Sequence, residues 1–367
     1  MKITRVTLLH GPDEGRGQKR WHWVRIHTDD GLIGTGEINR RPGPVMETIR
    51  EWADTLLVGQ DPRDIERLWD AMYDSVTPWG SSGAEMRAIS AIDMALWDIL
   101  GQSVGQPIWR LLGGKMRPRV PVYRTGGVQG ESREAIAESV HKLQEQGYSA
   151  FKCCFFREEQ GLVRHRAGLE AVARGVEKMQ WVRDAVGNQI EMGIDCHPEW
   201  DLHGAVRVAQ AVEHLNLMFF KCPVGPSNTR SMATVASRTK TPIMAGERLF
   251  SRWDLRDLLE SQACPIINPD LAWCGGISET KRIATYAQVY DVAMAPHDSG
   301  PIATICRAHV MVTTPNAWYM ELSSATLGNL KYLADPDVLR VEGSSVAVPD
   351  GPGLGVQLSP EILDQEK

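Results

Sequence analysis

Residues 190–221 read IEMGIDCHPEWDLHGAVRVAQAVEHLNLMFFK. An apolar run, Ile190–Asp195, ends on a carboxylate. A helical stretch, Ala205–His214, follows, and a second apolar run, Met218–Lys221, ends on an ammonium. Strand, helix, strand is the repeating unit of a parallel sheet. The unit recurs on both sides. Further apolar runs stand at Val120–Tyr123, Ala150–Phe155, Ile243–Gly246, Ile266–Asp270, Val292–Pro296 and Trp318–Leu322, with helix candidates such as Arg133–Gln146, Ala167–Ala185 and Glu279–Tyr290 between them. Eight strand candidates separated by helical stretches predict a closed parallel barrel. A doubly wound open sheet is the rival architecture. It would want a Gly-rich phosphate turn after its first strand, and Arg124-Thr125-Gly126-Gly127 is too weak a match.

The flanks read differently. Residues 1 to about 40 look like strands: Trp21–His27 alternates and Asp30-Gly31 signals a turn. Three helices are predicted next, at Val45–Leu57, Pro62–Ser75 and Ala84–Gly101, the last with Ile89, Ile92, Leu96 and Ile99 as an apolar stripe. After the barrel, Ser344–Leu358 reads as strands around a turn at Asp350-Gly351-Pro352-Gly353. The expected architecture is therefore a TIM-like (β/α)7β barrel with an α+β capping domain built from the N-terminal region and the C-terminal tail. Its parts are 1–117 for the cap, 118–330 for the barrel and 331–367 for a segment returning to the cap.

Composition narrows the function. A formal net charge of -6 over 367 residues argues against general nucleic-acid binding, which needs clustered positive charge. No apolar run reaches the length of a membrane span and no secretory signal is read at the N-terminus, so a cytoplasmic protein is expected. The seven cysteines form no paired zinc pattern and read as reduced, buried thiols.

In a barrel, working residues lie at the carboxyl ends of the strands. Strand two offers Lys152, strand three Asp195 and His197, strand four Lys221, strand five Glu247, strand six Asp270, strand seven His297 and strand eight Glu321. Any one alone is as well read as a surface charge. Seven strands in succession carrying an ionisable residue make a functional-site signal. Histidines exchange protons near neutral pH, and Asp270 is placed to orient His297 and favour its charged form. Acid and base groups on opposite sides of a substrate suit proton abstraction followed by loss of a leaving group. Asp195 and Glu247 are oxygen ligands of the kind Mg²⁺ prefers.

These residues resemble the mandelate racemase branch of the enolase superfamily, and within it the acid-sugar dehydratases of the galactonate type. The resemblance is carried by Gly59-Gln60-Asp61-Pro62, Ala91–Asp98 and Leu111–Gly114, and most densely by Gly246–Asp254. It continues through Pro269-Asp270, Gly275-Gly276-Ile277, Ala295-Pro296-His297 and Gly300–Ala303, and closes at Gly351–Gly355. It implies a Mg²⁺ ion holding the substrate carboxylate, with Asp195 and Glu247 matching the first and third of its three carboxylate ligands. It implies that His297, paired with Asp270, is the base, that His197 protonates the departing hydroxyl, and that Glu321 hydrogen-bonds the substrate carboxylate. It also implies a homo-oligomer and a small sugar acid as partner, with no nucleic acid or membrane.

Two positions depart from the pattern. Where the family has Glu-Glu-Pro on the fourth strand, this chain has Lys221-Cys222-Pro223, and Cys154 stands where the group often has Lys or Asn. A protonated lysine does not bind Mg²⁺. Three carboxylates with Mg²⁺ carry one net negative charge, and so do Asp195 and Glu247 with one ammonium. Lys221 is therefore expected to occupy the metal position and bridge Asp195 and Glu247. The alternatives are that Lys221 swings away while a metal binds two ligands, or that it serves as a Schiff-base nucleophile.

The expected function is an aldonate dehydratase, a lyase abstracting the proton α to a carboxylate, with Lys152 in the catalytic group. The alternatives are an isomerase or racemase of the same superfamily, and a catalytically inactive or divergent sugar-acid binder. Arg16, Lys19, Arg20 and Trp21, in a polar stretch between two strands, are candidates for substrate contacts, as are Trp79 and Trp253; a solvated loop or simple packing explains them equally well.

Overall fold

The computed structural model describes residues 1–12, 21–39, 41–156, 168–196 and 200–366. Strands β1 (Ile3–His10), β2 (Trp21–Thr28) and β3 (Ile33–Asn39) form an antiparallel sheet in chain order. Helices Pro42–Trp52, Ile65–Val76 and Ala84–Ser103 pack on it around Trp69, Ile89, Ile92 and Leu96. The last helix lies very close to β3. A Cβ on Gly34 or Gly36 would collide with the carbonyl oxygens of Ala95 and Ala91, so only glycine admits that approach.

Eight parallel strands follow: β4 (Val120–Thr125), β5 (Ala150–Cys153), β6 (Glu191–Asp195), β7 (Phe219–Lys221), β8 (Ile243–Ala245), β9 (Ile266–Ile267), β10 (Ala293–Met294) and β11 (Met320–Ser323). Each pairs with the next from β4 to β10, and β11 pairs with β4. The ring closes through Met294, which bridges Ala317 and accepts a hydrogen bond from the Trp318 N–H (2.9 Å). This is the expected barrel, and its closure leaves no open edge for the rival open sheet. Helices lie between the strands, several started by side-chain caps. Asp201 accepts from the Gly204 N–H (2.7 Å) at the head of Leu202–Ala211, and Ser251 caps Arg252–Glu260.

The tail does more than return to the cap. A short hairpin, β12 (Val341–Glu342) and β13 (Ser345–Val346), pairs antiparallel with the start of β4. The chain then turns back. The Leu354 N–H donates to Asp98 Oδ1 (3.0 Å), and Glu366 takes hydrogen bonds from Thr7 and Arg25 on β1 and β2. Among the described residues no helix is long and apolar enough to cross a membrane.

Glu37 on β3 joins the cap to the barrel. The Ile302 N–H donates to its Oε2 (2.9 Å) in the first turn of helix Pro301–Val312, just beyond His297. Burial pushes the Glu37 carboxyl up to about 8, against the pull of these N–H donors. The folded chain then keeps a proton that the unfolded chain has lost. The stability this contributes is full below the ordinary carboxyl range and is lost as pH rises toward 8. Glu37→Gln keeps the acceptor and removes the titration. It is expected to raise the melting temperature by about 5 °C near pH 8 and to leave it unchanged near pH 4, read by scanning calorimetry.

Candidate functional site

Adjacent parallel strands carry paired residues to the same side of the sheet. Asp195 is in register with Lys221, and Lys152 lies one strand away on β5. Glu247, Asp270 and His297 sit two or three residues past the ends of β8, β9 and β10, and Glu321 is the second residue of β11. The structure joins all seven side chains.

The joining runs in a chain of alternating charge. Lys152 Nζ lies 2.5 Å from Glu321 Oε1 and 2.7 Å from Asp195 Oδ2. Lys221 Nζ lies 3.0 Å from the same Asp195 oxygen and in close contact with Glu247 Oε2. That Glu247 oxygen is 3.6 Å from His297 Nε2, and His297 Nδ1 is 2.8 Å from Asp270 Oδ2. With His297 protonated, four carboxylates face three cations, leaving one net negative charge.

Burial would drive the Lys221 amine toward its neutral form, but Asp195 and Glu247 outweigh it and hold the pKa well above the ordinary lysine value. Lys152 is raised in the same way by Asp195 and Glu321. Neither offers the free amine that a Schiff-base nucleophile needs. Burial pushes the Glu247 carboxyl up, yet the Lys221 ammonium and His297 hold it down at about 2. Glu321 is likewise held low, chiefly by Lys152 and Lys221 against its burial. Burial would lower the His297 pKa, whereas Glu247 and the hydrogen bond to Asp270 leave it raised.

A second set of residues fixes these groups. Tyr123 Oη donates to Glu321 Oε2 (3.0 Å), and the Asp298 N–H approaches the same oxygen (3.4 Å). Asn268 Oδ1 accepts from the Glu247 N–H (3.1 Å). Ser299 Oγ donates to Asp270 Oδ1 (2.5 Å), while the Trp273 ring lies 5.7 Å from the His297 ring. Reading the strand ends missed Tyr123, although it ends the apolar run Val120–Tyr123 read from the sequence; in the fold β4 runs on to Thr125. Asn268 and Ser299 act through contacts that spacing does not announce.

Of the remaining candidates only the three tryptophans are described. His197 and Arg20, with Arg16 and Lys19, lie outside the described residues. Trp21 is buried, and its ring packs beside Gly300, where an added Cβ would strike it. Trp79 is 88% exposed. Trp253 stacks on Tyr73 of the cap (centroids 4.6 Å) with the Arg252 guanidinium 3.9 Å over its ring, a joint between cap and barrel.

The Mg²⁺ implied by the resemblance does not fit the donor set. The Asp195 and Glu247 oxygens that would face an ion face the Lys221 ammonium instead. Among the described residues no three His, Cys, Asp or Glu side chains converge to hold a metal. What the group can do is exchange a proton at His297 and stabilise negative charge next to two ammoniums.

Comparison with known proteins bears on the family. The family described as "Enolase C-terminal domain-like" matches residues 135–362, and "Mandelate racemase / muconate lactonizing enzyme, N-terminal domain" matches residues 13–113. The D-galactonate dehydratase of Ralstonia nicotianae is 37% identical over 374 residues, spanning 99% of this chain and 94% of the relative. That of Pectobacterium atrosepticum is 34% identical over 373 residues, with the same coverage. A solved member of the enolase superfamily from Salmonella Typhimurium superposes with a TM-score of 0.91 at 29% identity, covering 99% of this chain and 98% of that one. An enolase protein from Sargasso Sea environmental sequencing gives 0.90 at 30% identity, covering 99% and 96%.

Proposed function

The chain belongs to the enolase superfamily, in its mandelate racemase/muconate lactonizing enzyme branch, and from that premise we propose that it is a hydro-lyase acting on a sugar acid of the aldonate class. The observation that carries this reading is the clamped histidine. Asp270 binds His297 Nδ1, which leaves Nε2 as the proton-accepting nitrogen on the side of Glu247 and Lys221.

His297 in its neutral form takes the proton from the carbon next to the substrate carboxylate. The C–H electron pair passes into the carboxylate as an enediolate, whose added negative charge is stabilised by the Lys221 and Lys152 ammoniums. The enediolate collapses, and the hydroxyl on the neighbouring carbon takes a proton and leaves as water. His197, outside the described residues, is the proposed donor of that proton. The resulting enol tautomerises to a 2-keto-3-deoxy acid, with no net oxidation or reduction. The names of the curated relatives support an aldonate, with galactonate the first to try. A cytoplasmic location goes with this reading, supported by seven free cysteines, and a homo-oligomer is proposed from the family resemblance alone.

A second reading is a sugar-acid binder without turnover. It is favoured by one observation: an ammonium carries half the charge of the ion expected at Lys221 and does not chelate. Incubation with aldonates differing in configuration, galactonate among them, separates the two. Formation of a 2-keto-3-deoxy acid supports the hydro-lyase. Exchange of the α hydrogen with deuterated water and no dehydration points to an isomerase or racemase. Saturable binding with neither product nor exchange establishes the binder and defeats the hydro-lyase.

A further inference from the structure

We propose that the Lys221 ammonium is the resident cation of this barrel, standing in for a divalent ion, and that the site works without Mg²⁺. For turnover this rests on the hydro-lyase reading; for metal binding it stands alone.

Strand geometry makes the position permanent. Lys221 is 1% exposed and pairs in register with Asp195, and the turn after β8 brings Glu247 to its other side. The backbone around it is locked. The Cys196 N–H donates to the Lys221 carbonyl (3.1 Å), and the Cys222 N–H donates to the Met244 carbonyl (2.9 Å). Cys222 itself is held at φ 49, a left-handed conformation that a non-glycine residue ahead of a proline adopts only when its surroundings impose it. An ammonium withdrawn from Asp195 and Glu247 would be left buried and unpaired, and Glu247 would lose its nearest cation while Asp195 kept only Lys152.

Charge leads to the same conclusion. Exchanging a carboxylate for an ammonium changes the local charge by two units, which is the charge of the ion displaced. An anionic substrate therefore meets the same net charge in either arrangement. Mg²⁺ needs near-octahedral oxygens at about 2.0–2.1 Å. Here two of the oxygens it would use are engaged by Lys221, and the ammonium repels it.

The test is titration of MgCl₂ into the full-length protein after dialysis against EDTA, followed by calorimetry and by thermal shift. The wild type is expected to show no saturable binding and no Mg²⁺-dependent rise in melting temperature up to about 10 mM, a dissociation constant at least about tenfold weaker than millimolar. Lys221→Glu is expected to bind about one ion per chain and to melt higher in its presence. One Mg²⁺ bound per wild-type chain at micromolar concentration overturns the proposal, and this arm needs no variant to fold. With an aldonate that is turned over, the wild-type rate is expected to survive EDTA within about twofold. Collapse of that rate, restored by Mg²⁺, also overturns it. The calorimetric arm reads metal alone, so a failure to find turnover leaves it intact.

Discussion

Lys221→Met lowers the free energy of unfolding by about 3–5 kcal/mol at neutral pH, the cost of leaving a buried ion pair with one partner removed. Methionine matches the length of the lysine stem and is apolar, so packing is largely kept and the change reports charge. Asp195 retains Lys152 at 2.7 Å, but Glu247 loses its nearest cation. The pH dependence identifies the cause. In the wild type the Glu247 carboxyl is held at about 2, below its ordinary range. The stability this contributes is present above that range and is lost as pH falls toward 2. In Lys221→Met the carboxyl moves up instead, because burial is no longer outweighed. The deficit relative to wild type is therefore largest near neutrality and shrinks as pH falls, because the variant's carboxyl takes up a proton while the wild-type carboxyl stays ionised down to about 2. Urea unfolding at several pH values measures it. A loss below about 1 kcal/mol at neutral pH would mean that the ammonium is not what holds these carboxylates in place.

His297→Asn removes the proposed base and is expected to cut the turnover number by about 10²–10⁴, the usual contribution of positioned acid–base catalysis. KM should change little, because the side chain acts on the reacting hydrogen and not on the bound carboxylate. Asp270→Asn should lower the rate as well, since Nδ1 of His297 loses its charged partner. The pH profile carries a second check. The base must be neutral, so kcat/KM rises with pH through the histidine pKa and levels off above it. Glu247 and Asp270 outweigh burial and raise that pKa, which places the acid limb above the ordinary histidine value. Glu247→Gln removes one of the raising charges and should move the limb down. A kcat/KM with no acid limb, or a limb that Glu247→Gln leaves in place, counts against His297 as the base.

How much of this was legible in the sequence follows from which interactions are local. A strand that runs apolar and then ends on a charge announces both its burial and its working end. The ionisable residues at 152, 195, 221, 247, 270, 297 and 321 were therefore readable one strand at a time. Helix Ala84–Ser103 was readable because Ile89, Ile92, Leu96 and Ile99 recur at helical spacing, although in the fold residues 88–96 are all buried. Helix Pro301–Val312 has every residue buried, so no polar face marks its period. Trp253 looked suited to a ligand because it follows strand five, and only the folded chain shows it stacked on Tyr73 of the cap.

The sequence by itself determined the barrel and the cap, because periodicity and residue type are properties of short segments; that Lys221 stands in place of a carboxylate followed from the family resemblance. Tertiary structure alone decided the pairing. Lys152 meets Glu321, 169 residues away, only because the ring closes β11 onto β4 and brings the last strand near the first. Glu37 reaches Ile302 across 265 residues only because the cap sits on the barrel. Whether a buried charge is neutralised depends on distances between strands, and those distances are set by closure of the sheet rather than by any stretch of chain.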